Sequence, residues 1–169
     1  MKFSTTTKGA SILFLAIGIL ILSGGVSSHV AAQTPPHINV SATVSNSKVA
    51  RGRTVRATVT MAIPGGYHVN SNRPLEKFLI PTTLKVDTPD GVRSGPIAYP
   101  RAVVRKFKFS NNNVAVYEGR AIMRFTVTVP PGTSTGSKEV KLNVRYQSCN
   151  DEVCFPPQTK ELSLWLNVE

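Results

Sequence analysis

The sequence predicts an all-β chain, an immunoglobulin-like antiparallel β-sandwich in a single domain that follows a signal peptide. Three observations carry this. Apolar and polar residues alternate with period two over residues 55–63, 121–129, 140–146 and 162–168, while helical periodicity is almost absent. Proline and glycine clusters (Pro64-Gly65-Gly66, Thr88-Pro89-Asp90-Gly91, Pro130-Pro131-Gly132) close the runs at the short intervals expected of a sandwich. No internal repeat, low-complexity stretch or second domain interrupts the pattern.

The N-terminus carries Lys2 and Lys8, an apolar run from Ala10 to Leu22, and a small-residue stretch ending Val30-Ala31-Ala32. This is the three-part layout of a secretory leader, with cleavage expected after Ala32. The apolar run is shorter than the roughly 20 residues of a spanning helix. No cysteine follows it to take a lipid anchor. Residues 1–32 are thus expected to be a signal peptide and 33–169 an exported, periplasmic domain, in a compartment where disulfides persist. A domain of that size has core enough to fold without one.

In chain order, Ile38, Val40, Ala42 and Val44 suggest a weak first strand. Val55, Ala57, Val59, Met61 and Ile63 alternate with Thr54, Arg56, Thr58 and Thr60 in a strand with one buried face. Residues 70–81 break the alternation, carry Pro74 and Pro81, and read as a loop with one helical turn around Leu75 to Phe78. Leu84 and Val86 mark another strand. Ala121 to Val129, Val140 to Tyr146 and Leu162 to Val168 mark three more, the last with Trp165 on its wet face. The expected total is seven to nine strands.

The chain is basic, with a formal net charge of +11. The charge gathers at Arg51, Arg53 and Arg56, and at Arg101, Arg105, Lys106 and Lys108. Such stretches can meet acidic partners or nucleic acid. Here they alternate with apolar residues as on the wet face of a strand, and an exported chain with no recognised binding motif is not expected to bind nucleic acid.

Cys149 and Cys154 are the chain's 2 cysteines. They lie at the turn between the last two alternating segments, where they can close a small ring across a hairpin. So short a ring stabilises by only about 2 kcal/mol in the chain-entropy model. Counting along the preceding strand puts Cys149 on the face of Arg145 and Gln147, away from the core unless a bulge intervenes. That placement favours an accessible, exchangeable pair over a core staple. Asp151 and Glu152 work against this, since nearby carboxylates disfavour a thiolate. The residues themselves leave redox-active and structural pairs equally open. Zinc needs four ligands at recognisable spacings, and only His37 and His68 remain beside the cysteines in the mature chain. No metal or other cofactor is expected.

Tyr146-Gln147-Ser148-Cys149, then Cys154-Phe155-Pro156-Pro157-Gln158-Thr159-Lys160, resembles the active-site hairpin of the N-terminal periplasmic domain of the thiol:disulfide interchange protein DsbD. Weaker likenesses follow the same order upstream: Gly66-Tyr67-His68-Val69-Asn70-Ser71-Asn72, Phe78-Leu79-Ile80-Pro81, Tyr99-Pro100 and Val116-Tyr117-Glu118-Gly119. The resemblance implies a sandwich that passes reducing equivalents between thioredoxin-like exported proteins or domains. Cys149 and Cys154 would be its catalytic pair, one forming a mixed disulfide and the other resolving it.

Three departures bear on the transfer. The sequence to Glu169 holds neither the membrane relay nor the thioredoxin-like domain of the family's proteins, so either a separate membrane electron relay is expected to feed a monomer or the function has changed. The aromatic cap over the cysteines has Phe109, then Phe107, as candidates. Tyrosines found beside the pair in some members are replaced by His68 and Asn70, next to Tyr67. His68 could accept a proton from a thiol, or simply sit exposed at a strand end. The competing reading is a non-catalytic secreted sandwich, an adhesion, assembly or binding module whose bridge pins a hairpin.

Overall fold

The alternating stretches form the long strands of the computed structural model, which describes residues 1–3 and 34–169. The leader expected over residues 1–32 lies outside the described residues, apart from its first three. One four-stranded sheet runs in the order β1 (Asn39–Val44), β3 (Thr54–Ala62), β9 (Arg120–Thr128), β6 (Arg93–Ser94). A second runs β2 (Lys48–Val49), β12 (Gln158–Val168), β10 (Gly136–Tyr146), β5 (Thr83–Asp87). The third, small sheet runs β11 (Ser148–Cys149), β4 (His68–Asn70), β8 (Asn113–Tyr117), β7 (Val103–Lys106). All pairings are antiparallel except β12 with β2.

The first two sheets make the immunoglobulin-like sandwich. In the β3–β9 ladder Val55 faces Val127, Ala57 faces Phe125 and Val59 faces Met123, so the apolar set of both strands enters one layer. It meets Val140, Leu142 and Val144 of β10 and Leu164, Leu166 and Val168 of β12, all buried. Each such side chain contributes roughly 1.5–3 kcal/mol when fully buried, and a one-residue slip would turn every one of them to water. Trp165 stays exposed on the outer face, as the alternation requires.

The short third sheet behaves differently. His68, Val69 and Asn70 of β4 are all buried, as are residues 114–117 of β8. Strands covered on both faces lose the period-two signature, which is why neither was legible as a strand. Twelve strands form among the described residues, more than the seven to nine expected, and the excess is largely in two-residue pieces and this sheet. Residues 71–82 form the expected loop, but the helical turn does not: a single turn closes where Leu79 N donates to Glu76 O at 3.3 Å.

Two glycines shape the chain around the third sheet. Tyr67 N donates to Pro64 O across a turn whose third residue, Gly66, has φ 79°, the left-handed value a type II turn demands there. Gly119, at φ 62°, turns β8 into β9 while its carbonyl accepts from Ile63 N at 2.7 Å. Both positions favour glycine because a Cβ is strained there.

Candidate redox site

The two cysteines are bridged, and the hairpin that carries them explains how. Phe155 N donates to Ser148 O at 2.8 Å and Asn150 N to Val153 O at 2.9 Å. Between these hydrogen-bonded pairs, Cys149 and Cys154 form the intervening non-hydrogen-bonded pair, the kind in which Cα atoms approach most closely. Their Cα atoms are 4.0 Å apart. The tip is held by Asn150, whose Oδ1 accepts from Glu152 N at 2.9 Å and Val153 N at 2.8 Å. That is the local closure asparagine favours in turns.

Strand parity placed Cys149 away from the core, and the structure overturns this: Cys149 is 0 % exposed. The cause is a change of ladder at Gln147. β10 pairs with β12 and β5 as far as Tyr146, and from Ser148 the chain pairs with β4 instead. Tyr146, Ser148 and Cys149 are all buried, so alternation fails across the junction. Cys154, on the returning arm, is half-buried. Of the two sulfur-bearing residues, Cys154 is the one open to solvent.

Cys149 lies directly across from His68 in the β11–β4 ladder, so their side chains share a face. His68 is not an exposed strand-end residue. It is 2 % exposed, and its ring stacks on Phe107 with centroids 3.9 Å apart. Phe109 stacks in turn on Phe107 at 5.3 Å. Both phenylalanines and Cys154 pack against the buried cluster of Leu79, Val114 and Val116. The three rings form one cluster: Phe107 lies on His68, and Phe109 lies beside both, its ring 6.0 Å from that of His68. Tyr67 lies near the returning arm of the hairpin, its ring 6.2 Å from that of Phe155.

Burial holds the imidazole of His68 down at about 4, against the upward pull of Glu118 and Asp151. The ring is therefore neutral at neutral pH, with one nitrogen left as an acceptor. Its Nε2 is buried without a hydrogen-bond partner among the described residues. A groove of about 310 Å³ runs beside the ring, lined by Gly66, Tyr67, Phe107, Glu118 and Asp151 among others.

Several residues of the site stood in quoted motifs or charge clusters, but the sequence assigned them no role there. Gln147, at the ladder change, ties three segments together: its Oε1 accepts from Asn70 Nδ2 at 3.0 Å and Ile80 N at 3.1 Å, while its Nε2 donates to Phe155 O at 3.1 Å. Lys108, in the cap loop, donates its backbone N–H to Asp151 O at 3.0 Å, and its ammonium lies 3.4 Å from Glu152. The cysteine loop, which has no cation of its own, thus receives one from the cap. Glu118 pairs with Arg105 at 3.2 Å. The remaining basic residues noted above, Arg51, Arg53, Arg56, Arg101 and Lys106, are exposed on the surface.

An immunoglobulin-like sandwich with a bridged cysteine hairpin, one of whose cysteines packs against the same buried cluster as two phenylalanines, has the parts of a thiol–disulfide interchange domain. Comparison with known proteins agrees. The sequence profile described as "Thiol:disulfide interchange protein DsbD, N-terminal" matches residues 37–165, and the chain belongs to that family. Domains of this family exchange dithiol for disulfide with thioredoxin-like partners. Among solved structures, the chain is similar to the reduced N-terminal domain of Neisseria meningitidis DsbD, at 22% identity and TM-score 0.45, over 66% of this chain and 77% of that one. It is also similar to the N-terminal periplasmic domain of Proteus mirabilis ScsB, at 14% identity and TM-score 0.52, over 80% of this chain and 49% of that one. No curated protein sequence matches.

Proposed function

We propose that Cys149 and Cys154 are the redox-active pair of a periplasmic relay domain, and that Cys154 is the residue that joins the partner. The observation that carries this is the asymmetry of the pair: Cys149 is fully buried within the third sheet, whereas Cys154 is half-buried and packs on the same cluster as Phe107 and Phe109. A partner thiolate must reach one sulfur in line with the S–S bond, and access selects which. Attack on Cys154 gives a mixed disulfide at the surface and frees Cys149 as a thiol inside; when the reduced domain instead attacks a partner disulfide through Cys154, that inner thiol resolves the mixed disulfide. Phe107 and Phe109 shield the pair from small oxidants and reductants until a partner displaces them. Tyr67 and His68 border the pair on the groove side.

The partners are thioredoxin-like exported proteins or domains, with a separate membrane electron relay as the ultimate source of electrons. The domain works as a monomer, exported after removal of residues 1–32. Similarity to a domain described as periplasmic supports that location.

Trapping tests the assignment. The Cys149→Ser variant, incubated with a thioredoxin-like domain whose single reactive cysteine is held as a mixed disulfide with thionitrobenzoate, should accumulate a mixed disulfide through Cys154 as thionitrobenzoate leaves. The Cys154→Ser variant should give little or none. Equal trapping by both variants, or trapping only through Cys149, contradicts the assignment.

A further inference from the structure

We propose that His68 is the proton acceptor for the buried resolving thiol, Cys149. The inference rests on the relay reading above and adds to it the place where the proton goes. Cys149 is sealed between strands, so its S–H has no direct route to bulk water, yet it must ionise to attack. The residue directly opposite on the neighbouring strand is His68, on the same face. Its Nε2 is buried and unpartnered among the described residues, an arrangement that costs stability with nothing on the structural side to offset it. Stacking on Phe107 fixes the plane of the ring. A neutral ring held this way offers a lone pair as soon as the bridge opens and a thiol forms beside it.

The resolving step then balances as follows. Cys154 is joined to the partner sulfur in the mixed disulfide. The S–H bond of Cys149 breaks, its proton passes to His68 Nε2, and its sulfur attacks Cys154 Sγ. The Cys149–Cys154 bond forms, the Cys154–partner bond breaks, and the partner sulfur leaves as a thiolate with the electron pair. Over the exchange the cysteine pair is oxidised by two electrons and the partner disulfide is reduced. The thiolate–imidazolium pair already forms in the reduced domain, where attraction between its members raises the basicity of the ring above its value beside the closed bridge.

The charged groups around the ring suit this role. Glu118, at the end of β8, and Asp151, in the cysteine loop, both line the groove beside His68 and both favour its protonated form. Their neighbours temper them: Arg105 pairs with Glu118, and Lys108 pairs with Glu152 next to Asp151. The groove gives the imidazolium a path to solvent past carboxylates, so the proton can leave after the partner has gone. An ordinary thiol near 8.5 is only a few per cent ionised at neutral pH, so a base here is worth on the order of tenfold to thirtyfold.

The test uses the whole mature domain, with His37 as internal control because it is exposed and lies outside the site. The imidazole titration of His68 is followed by NMR in the oxidised and reduced protein. Reduction should move the His68 midpoint upward by at least about one pH unit, leaving His37 unchanged. In single-turnover exchange with a disulfide-bonded thioredoxin-like domain, His68→Phe should release the partner at least about tenfold more slowly at pH 7 and regain rate as pH rises toward 9. His68→Asn, which keeps a polar acceptor without a basic nitrogen, should show the same pH dependence. A redox-independent His68 midpoint, or variants that exchange with the wild-type pH profile, overturns the role while leaving the relay intact. Absence of exchange in the wild-type domain itself overturns the relay reading, and this inference with it.

Discussion

The side-chain amide of Gln147 donates to the carbonyl of Phe155 at 3.1 Å, across the base of the cysteine hairpin. The same side chain accepts from Asn70 and Ile80, so one residue at the change of ladder holds the hairpin, β4 and the loop after it. Gln147→Ala removes three hydrogen bonds, stranding Ile80 N and Phe155 O while Asn70 Nδ2 keeps its bond to Ile80 O at 3.1 Å. Each unsatisfied buried group costs about 1–3 kcal/mol, partly relieved where water enters, so a loss on the order of 3 kcal/mol is expected in urea denaturation. Gln147→Glu keeps the acceptor but not the donor to Phe155 and should fall between the two. A loss below about 0.5 kcal/mol for the alanine variant would show that the staple is dispensable.

The double ring of Phe107 and Phe109 leads to a prediction about access. Phe107→Ala and Phe109→Ala should each speed reduction of the Cys149–Cys154 bridge by a small dithiol, on the order of threefold to tenfold, because exchange depends on reach to the attacked sulfur. Phe107→Ala should have the larger effect, since it is this ring that lies on His68. Stopped-flow or alkylation-quench kinetics would measure it. Unchanged rates would mean that the rings do not shield the sulfurs.

Stability should depend on pH through His68. Its folded-state value, about 4, lies below its ordinary 6.5, so between these values the unfolded chain binds a proton that the folded chain does not. Stability is therefore unaffected by this residue above pH 6.5 and declines as pH falls from 6.5 toward 4. The full difference amounts to about 3 kcal/mol. Denaturation of the oxidised domain at pH 7, 5.5 and 4 would show the decline. His68→Phe should flatten it across that window, and an equal decline in the variant would assign the effect to other groups.

The Lys108–Glu152 pair should matter little to stability. Both side chains are largely exposed, and such pairs contribute about 0–1 kcal/mol. Lys108→Ala keeps the backbone bond to Asp151 and should change the denaturation midpoint within error. A clear loss would mean that the side chain anchors the cap to the hairpin.

The long strands were legible because their burial alternates. Val55, Ala57, Val59 and Met61 announce an inner face, and the structure buries each of them. The sheet that carries the site was not legible for the converse reason: Val114 to Tyr117 and His68 to Asn70 are covered on both sides, so nothing alternates. Cys149 was misplaced by a parity count that assumed one continuous strand through Gln147, whereas the chain changes partners there. The pairing of His68 with Cys149 joins residues 81 positions apart in sequence, a register that no local pattern encodes. The cysteine motif itself was readable, because a short ring in a hairpin depends on neighbours in sequence. Phe107 and Phe109 could be named only as candidates, since which ring lies on the histidine is set by the fold of the loop around Lys108.

The most direct test of a working relay is the reduction potential of the Cys149–Cys154 bridge, measured by equilibration with a thioredoxin-like dithiol. A relay domain should equilibrate with that donor and give a value above about −300 mV, within the range that exported thiol–disulfide partners span. A value below about −300 mV, together with no reduction by the donor, would make the bridge a structural staple and contradict the account.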